Sequence, residues 1–363
     1  MSSKGVIGVF FGGFSVEHEI SVLSARNIVN SLIKAGYRVV GIGIDKEAKW
    51  GAFSENELVK FLNDNRVVSF GDERLVLPVP GGGAGKALYH LSKKSYLSID
   101  CAFPILHGTF GEDGTIQGIF EHIQIPYVGS GVLGSSVNMD KEFSKRLLRE
   151  RGLPITEFIV FEKGEVPSYE DVSRKLGNAV FVKPASLGSS VGISMVENKD
   201  QYVQAVKDAF TYDTKIIVER RVEGREIECS VLGGENPIAS LPGEIIPRKG
   251  FYSYEAKYLD EDGAELVVPA KLDDNMIEEI KSIAVKAFKV LGCFGLARVD
   301  FFLVEDSKII INELNTIPGF TQISMYPKLW EVSGIPQHEL VGRLIEIAVE
   351  RFETLRKLRR FYI

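Results

Sequence analysis

The chain is poor in cysteine, tryptophan and histidine, and it has no long apolar run. Its three cysteines, Cys101, Cys229 and Cys293, lie far apart in 363 residues and form no C-x-x-C pair. That excludes a disulfide framework and a zinc knuckle and fits a reduced, cytoplasmic setting. The five histidines show no H-E-x-x-H spacing, so no histidine-held zinc is expected. Nowhere do about 18 apolar residues run uninterrupted, and the opening Met-Ser-Ser-Lys-Gly is not a charged segment followed by an extended apolar stretch. The expectation is a soluble, unexported chain without a membrane partner. An excess of positive charge is also missing, with 43 Lys plus Arg against 49 Asp plus Glu and a net charge of −6. That argues against nucleic acid as the main partner, although a nucleotide can still bind at a local cationic site.

The length predicts two or three compact units. Residues 4–13 read as a buried strand ending in a glycine turn, 19–35 as a helix and 37–44 as a strand, a β-α-β opening. Residues 46–95 are less regular, with a glycine cluster at 81–85 that reads as a surface excursion. Order resumes at 99 with a strand, the loop HGTFGEDG, a helix over 115–123 and a strand ending near Val128. The pattern then predicts a helix from Lys141, a strand over 156–161, a long helix from about 168, an apolar strand over 179–183 and a Gly/Ser loop. A helix follows from Asp273 to Leu291, with Asp273 as N-cap, Gly292 as stop, and Ile277, Ile280, Ala284, Ala287 and Leu291 on its apolar face. Strands over 295–304 and 307–313 come next.

Two glycine clusters invite phosphate-binding readings that their spacing defeats. The turn Gly12-Gly13-Phe14-Ser15 is not G-x-G-x-x-G, and Phe14 would keep a pyrophosphate from the backbone. In Gly81–Lys86 the residue five before Gly85 is Pro80, and Ala87 stands where a P-loop needs Ser or Thr.

Three other segments carry chemistry. Arg298 and Asp300 project from one face of a strand, as do Glu313 and Asn315 from the next. Two carboxylates and an amide oxygen form a hard oxygen donor set of the kind Mg²⁺ prefers, and the adjacent arginine can neutralise a transferring phosphoryl group. A surface salt-bridge pattern on a hairpin is the alternative. Lys183 ends an apolar strand and opens Pro184–Gly192, a run of small residues whose N–H groups and hydroxyls, Ser189 and Ser190 among them, can wrap phosphate oxygens. In 217–226, strand-end backbone groups near Val222 can meet an adenine edge. Glu219 would accept from the exocyclic amine and Glu226 would bond ribose hydroxyls.

Taken together, GGFSVEHEIS (12–21), ILHGTFGEDGTIQG (105–118), PYVGSG and NMDK (126–141), VKPASLGSSVG (182–192), YSYEAKY (252–258), ARVDFF (297–302) and NELNTIPGFTQISMYPKLW (312–330) resemble the ATP-grasp fold, and more narrowly the D-alanine–D-alanine ligases. The resemblance implies an α/β (α+β) chain of three domains. These are an N-terminal Rossmann-like domain (1–137) with the first D-alanine site, a small central domain (138–224) with the phosphate loop, and a C-terminal domain (225–363) with a lid loop, metal site and second D-alanine site. It implies an ATP-dependent ligase that joins two D-alanines through an acylphosphate for peptidoglycan precursors, works with two Mg²⁺ (or Mn²⁺) ions and forms a homodimer.

It also implies roles for individual residues. Glu17 would hold the ammonium of the first D-alanine, whose pocket His107 lines. Lys141 and Lys183 would contact the ATP phosphates, and Lys257 the transferred phosphate. Tyr258 would join Glu17 and Ser189 in a hydrogen-bonded set. Asp300, Glu313 and Asn315 would bind the metals, while Arg298 and the Gly319 N–H would stabilise a tetrahedral oxyanion. Ser324 and the Met325 N–H would take the second carboxylate, and Phe302 would pack on adenine. A D-alanine–D-lactate ligase and a nucleotide-binding module without turnover remain as alternatives.

Overall fold

The computed structural model describes residues 4–248 and 263–360. The amino-terminal elements are β1 (Val6–Gly12), α1 (His18–Lys34), β2 (Arg38–Ile44), β3 (Trp50–Phe53), α2 (Glu55–Asp64), β4 (Val76–Pro78), β5 (Leu88–His90), β6 (Ser95–Leu97), β7 (Cys101–Pro104) and α3 (Thr115–Ile123). They build a four-stranded sheet of order β3-β2-β1-β7, in which β1 pairs in parallel with both β2 and β7. β1 is apolar and almost wholly buried, as parallel strands covered on both faces must be. It ends at Gly12, where φ is +89° and a Cβ would sit 2.3 Å from the Ile44 carbonyl oxygen, so only glycine fits. α1 buries Ile20, Val22, Ala25, Ile28, Val29 and Leu32 at helical spacing. The 46–95 excursion is more ordered than its sequence suggests. β3 joins the main sheet antiparallel, and β4, β5 and β6 make a small sheet of their own.

The middle of the chain holds α4 (Val132–Met139), α5 (Lys141–Glu150), β8 (Phe158–Glu162), α6 (Tyr169–Leu176), β9 (Val180–Pro184), β10 (Ser194–Val196), α7 (Lys199–Ala209) and β11 (Lys215–Arg220). The four strands form an antiparallel sheet, β10-β9-β11-β8. α4 was not legible in the sequence, and α6 is short where a long helix is expected. Ser168 caps α6 through the Asp171 N–H, and Gly177 at φ +89° stops it after eight residues.

The carboxy-terminal part comprises β12 (Arg225–Gly233), β13 (Ile238–Ala239), β14 (Gly243–Pro247), β15 (Ala264–Val267), α8 (Asp274–Val290), β16 (Gly295–Val304), β17 (Lys308–Asn315), α9 (Met325–Val332) and α10 (Gln337–Arg356). Its antiparallel sheet runs β15-β14-β12-β16-β17, with β13 beside β12. Asp273 caps α8 by accepting the Met276 N–H at 2.9 Å. The buried face of α8 is Met276, Ile280, Ile283, Ala284, Ala287 and Phe288, so the helix turns Ile277 further outward than its spacing suggests. Phe320, Tyr326, Trp330, Leu340, Leu344 and Ile345 pack with β1, α1 and β7 in one core. The end of the chain thus docks onto the first sheet and brings the 316–324 loop against it. All three cysteines are buried and free. No helix among the described residues is long and apolar enough to cross a membrane.

Candidate active site

Two cavities meet at the junction of the three larger sheets. One, of about 430 Å³, is lined by Lys141, Lys183, Gly188, Ser189, Ser190, Glu219, Val222, Glu226, Phe302 and Glu313. The other, of about 330 Å³, is lined by Glu17, His107, Glu112, Gly188, Ser189, Glu228, Arg298, Glu313, Asn315, Gly319, Ser324 and Met325. Gly188, Ser189 and Glu313 belong to both walls. Every site residue expected from the sequence that falls among the described residues lies on one of these cavities or, for Asp300, in the small cleft beside them. Lys257 and Tyr258 lie outside the described residues.

The first cavity is organised by charge. Lys183 Nζ donates to Glu219 Oε2 at 2.7 Å, and Lys145 Nζ lies 3.1 Å from Glu219 Oε1. Lys145 also donates to the Asn312 carbonyl at 2.9 Å. Burial would raise the Glu219 pKa, yet the two ammonium groups outweigh it and hold the carboxyl down at about 2. Burial likewise works against charge on Lys183, but Glu219 and Glu313 raise its pKa on balance. For Lys145 burial wins and the pKa falls, although Glu219 opposes the fall. Glu219 is therefore already paired with two lysines, but a carboxylate has about four acceptor sites and pairing with both leaves capacity toward the cavity. Lys141 Nζ donates to the Leu187 carbonyl and lies 3.9 Å from Glu313. The loop that follows β9 turns through Ser189 and Ser190 at φ 50° and 60°, a left-handed geometry uncommon for non-glycine residues that aims successive N–H groups to one side.

The sheet face between the cavities carries a dense set of carboxylates. Asp300 on β16 sits opposite Glu228 on β12 and Glu313 on β17, and Arg298 sits opposite Asn315. Arg298 grips Asp300 with two bonds of 2.7 Å and reaches Glu228 at 2.9 Å, while Asn315 Nδ2 donates to Asp300 at 3.0 Å. The ladder shifts register between Asp300 and Phe301, so Glu313 and Ile311 face those two residues while Asn312 bulges.

The second cavity is built from loops. The Ser189 hydroxyl donates to buried Glu17, so two members of the expected three-residue set are in contact. His107 donates from Nδ1 to the Ile317 carbonyl at 3.0 Å, which leaves Nε2 to accept from the Ser24 hydroxyl at 3.2 Å. Burial, with repulsion from Arg298, lowers its pKa to about 4 even though the Ile317 bond opposes the fall, so the ring is neutral. Glu112 accepts the Gly108 and Ile317 N–H groups at 2.9 and 3.0 Å. Burial, reinforced by Glu17, pushes its carboxyl up to about 8. Ser324 stands at the N-cap position of α9 but makes no capping bond to the helix; its Oγ accepts the Thr321 N–H at 2.9 Å. A Cβ on Gly319 would come within 2.8 Å of that Oγ.

Comparison with known proteins now decides the family. Residues 6–130 match the family model described as D-ala D-ala ligase N-terminus, and residues 147–346 match D-ala D-ala ligase C-terminus. The chain belongs to the D-alanine–D-alanine ligase family. It is 46% identical over 359 residues to the D-alanine–D-alanine ligase of Oceanobacillus iheyensis, covering 98% of each chain. It is also 46% identical over 348 residues to D-alanine–D-alanine ligase A of Escherichia coli K12, covering 95% of this chain and 96% of the relative. Among solved structures it matches the D-alanine–D-alanine ligase of Coxiella burnetii with TM-score 0.84 and 38% identity over 98% of both chains. It matches a D-Ala:D-Ser ligase of Enterococcus faecalis with TM-score 0.82 and 32% identity, over 95% of this chain and 99% of that one. The mixed α/β architecture is that of the ATP-grasp enzymes, and members of this ligase family use ATP.

Against this family frame, sequence reasoning missed Lys145, Glu112 and Glu228. Glu228 had a local signal, because Glu226 and Glu228 alternate onto one face of a strand. Lys145 and Glu112 had none, since their partners Glu219 and Ile317 are remote in sequence.

Proposed function

We propose that this chain ligates two D-alanine molecules into D-alanyl-D-alanine, with ATP converting the first to an acylphosphate. The observation that carries the reading is the shared wall of the two cavities. A phosphoryl acceptor in one and a lysine-lined phosphate site in the other would meet across Gly188, Ser189 and Glu313.

A carboxylate is a poor electrophile and needs activation. ATP would lie in the larger cavity, with its phosphates at Lys141, Lys183 and the Ser189–Ser190 loop, and Lys257 reaching the transferred group. Its base would pack on Phe302 beside Glu219 and the Val222 backbone, with Glu226 on the ribose. Glu17, oriented by Ser189, would hold the first ammonium group, and neutral His107 would shape that pocket. Tyr258 would complete the set with Glu17 and Ser189. Ser324 and the Met325 N–H at the start of α9 would receive the second carboxylate, where a helix N-terminus favours negative charge. When its amine attacks, charge gathers on the carbonyl oxygen, toward which Arg298 and the Gly319 N–H would be turned.

The donor types suit a hard divalent cation, two carboxylates from Asp300 and Glu313 and an amide from Asn315 on the neighbouring strands β16 and β17. Binding one would require Arg298 to release Asp300 and Asn315 to turn its amide oxygen inward. Mg²⁺ or Mn²⁺ held there would neutralise phosphate charge. Division of the chain at 137 and 224, cytoplasmic residence, a homodimer and a role in peptidoglycan precursor synthesis belong to the same proposal and rest on family resemblance and on the reduced, buried cysteines.

The test is D-alanine-dependent phosphate release from ATP, with chromatographic identification of the dipeptide. Parallel reactions offer D-lactate or D-serine as second substrate. Dipeptide formation with D-alanine favoured over both is expected. Phosphate release that needs no D-alanine, or a preference for D-lactate, would overturn the reading.

A further inference from the structure

The turn Ile317-Pro318-Gly319-Phe320 belongs to the carboxy-terminal part of the chain but is held at both ends by side chains of the first. The Ile317 backbone is gripped on both sides from the 107–112 loop. Its N–H donates to Glu112 Oε1 at 3.0 Å and its carbonyl accepts from His107 Nδ1 at 3.0 Å. Phe320 is gripped twice from α1. Its N–H donates to Ser24 Oγ at 3.3 Å and its carbonyl accepts from Asn27 Nδ2 at 2.8 Å. Ser24 also bonds His107 Nε2 at 3.2 Å, which joins the two grips.

The donors of this turn can be counted in full. Glu112 takes the Ile317 N–H, Ser24 takes that of Phe320, and Pro318 has none. Gly319 is left with the one uncommitted N–H of the turn; it finds no partner among the described residues, and Gly319 lines the smaller cavity.

We propose that Glu112 and Asn27, with Ser24 and His107, are positioning residues that fix the direction of the Gly319 N–H. The inference rests on the reading of Gly319 as an oxyanion donor. Neither Ser24 nor Asn27 lines that cavity, so their part is exerted through the turn. The four bonds hold the peptide planes on both sides of the Pro318–Gly319 peptide, and the Pro318 ring fixes its own φ, so the Gly319 N–H has little room to turn; a donor is worth most when it needs no reorientation as charge develops. A displacement of about 1 Å can reduce rate about a hundredfold. The clamp also spans two parts of the chain, so the donor is aimed only when the first sheet and the 316–324 loop are docked.

Asn27→Leu keeps bulk near α1 and removes the bond to the Phe320 carbonyl. Glu112→Gln keeps one acceptor but turns a second donor toward one of its two N–H partners. Ser24→Ala serves as a third variant should either fold poorly. For each, kcat, KM for ATP and D-alanine, and the affinities of the dipeptide product and of a phosphinate analogue tetrahedral at the reacting centre are measured with purified full-length protein. Asn27→Leu should lower kcat roughly 10- to 100-fold. Phosphinate affinity should fall in step, while KM for ATP and affinity for the planar dipeptide change less than about twofold. An unchanged kcat, or equal losses of phosphinate, dipeptide and ATP affinity, would overturn the positioning role. A wild type that releases no phosphate with D-alanine would overturn the proposed function, and so fails in a different measurement.

Discussion

Glu219→Gln isolates the charge that holds Lys145 and Lys183. The substitution preserves shape and removes the anion from between two buried ammonium groups 2.7 and 3.1 Å away. In the native chain the Glu219 carboxyl sits at about 2 instead of 4.5, a difference worth about 3 kcal/mol. Because this folded-state pKa is depressed, the contribution is full above about pH 4.5 and is lost as pH falls toward 2. Removing one partner of a buried ion pair costs about 3–5 kcal/mol, which agrees in scale. The variant should carry a further signature. Both lysines, deprived of their anion, would bind protons less readily folded than unfolded, so the variant gains stability as pH rises toward about 10. Urea unfolding of wild type and variant at pH 7 and pH 9.5 should therefore show a deficit of about 3–5 kcal/mol that narrows at the higher pH. Adding Lys145→Met to the variant should recover part of it, since one stranded charge is gone. A deficit below about 1 kcal/mol at pH 7, or one that stays constant with pH, would refute the idea of a buried charged triad.

Other outcomes follow from the same geometry. Lys183→Met should weaken ATP binding on the order of 10- to 100-fold, and an unaltered KM for ATP would remove Lys183 from the phosphate site. Asp300→Asn should raise the Mg²⁺ concentration needed for half-maximal rate by at least about tenfold; an unaltered Mg²⁺ dependence would dismiss the metal assignment. His107 is neutral with a pKa near 4, so the stability it confers is complete above pH 6.5 and is lost between 6.5 and 4. His107→Gln, which cannot titrate, should lose less stability across that window in thermal melts, and equal slopes would argue against a buried neutral ring.

What was legible in the sequence was whatever a short period encodes. Strand alternation put Arg298 with Asp300 and Glu313 with Asn315, and the structure lines up both pairs across β16 and β17. Asp273 and Gly292 bracketed α8 because caps are local. α4 escaped notice because VLGSSVNM mixes small and polar residues and buries only Gly134, Ser135 and Asn138, which leaves no apolar stripe. Residues 46–95 looked irregular because β4, β5 and β6 are three residues each, too short for a period to register. Lys145 lies on α5 among charged residues that read as solvated, and nothing nearby announces Glu219 or the Asn312 carbonyl as its partners. The Ile317–Phe320 clamp was equally invisible, since each of its four bonds joins segments more than 200 residues apart.

The irregularity in β17 can be read as a record of what the sheet itself does not need. Glu313 opposes Asp300 and Ile311 opposes Phe301, so Asn312 is a supernumerary residue in an otherwise continuous ladder. Without it, the alternation of cavity-facing Asn315 and Glu313 with core-facing Leu314 and Ile311 would run on unbroken. What Asn312 supplies is a carbonyl, freed from the ladder and turned to the Lys145 ammonium, and a place in the wall of the larger cavity. A plain hairpin would hold the same core. The extra residue gives an anchor to a buried cation, and a one-residue insertion is a short route by which an ordinary pair of strands could acquire one.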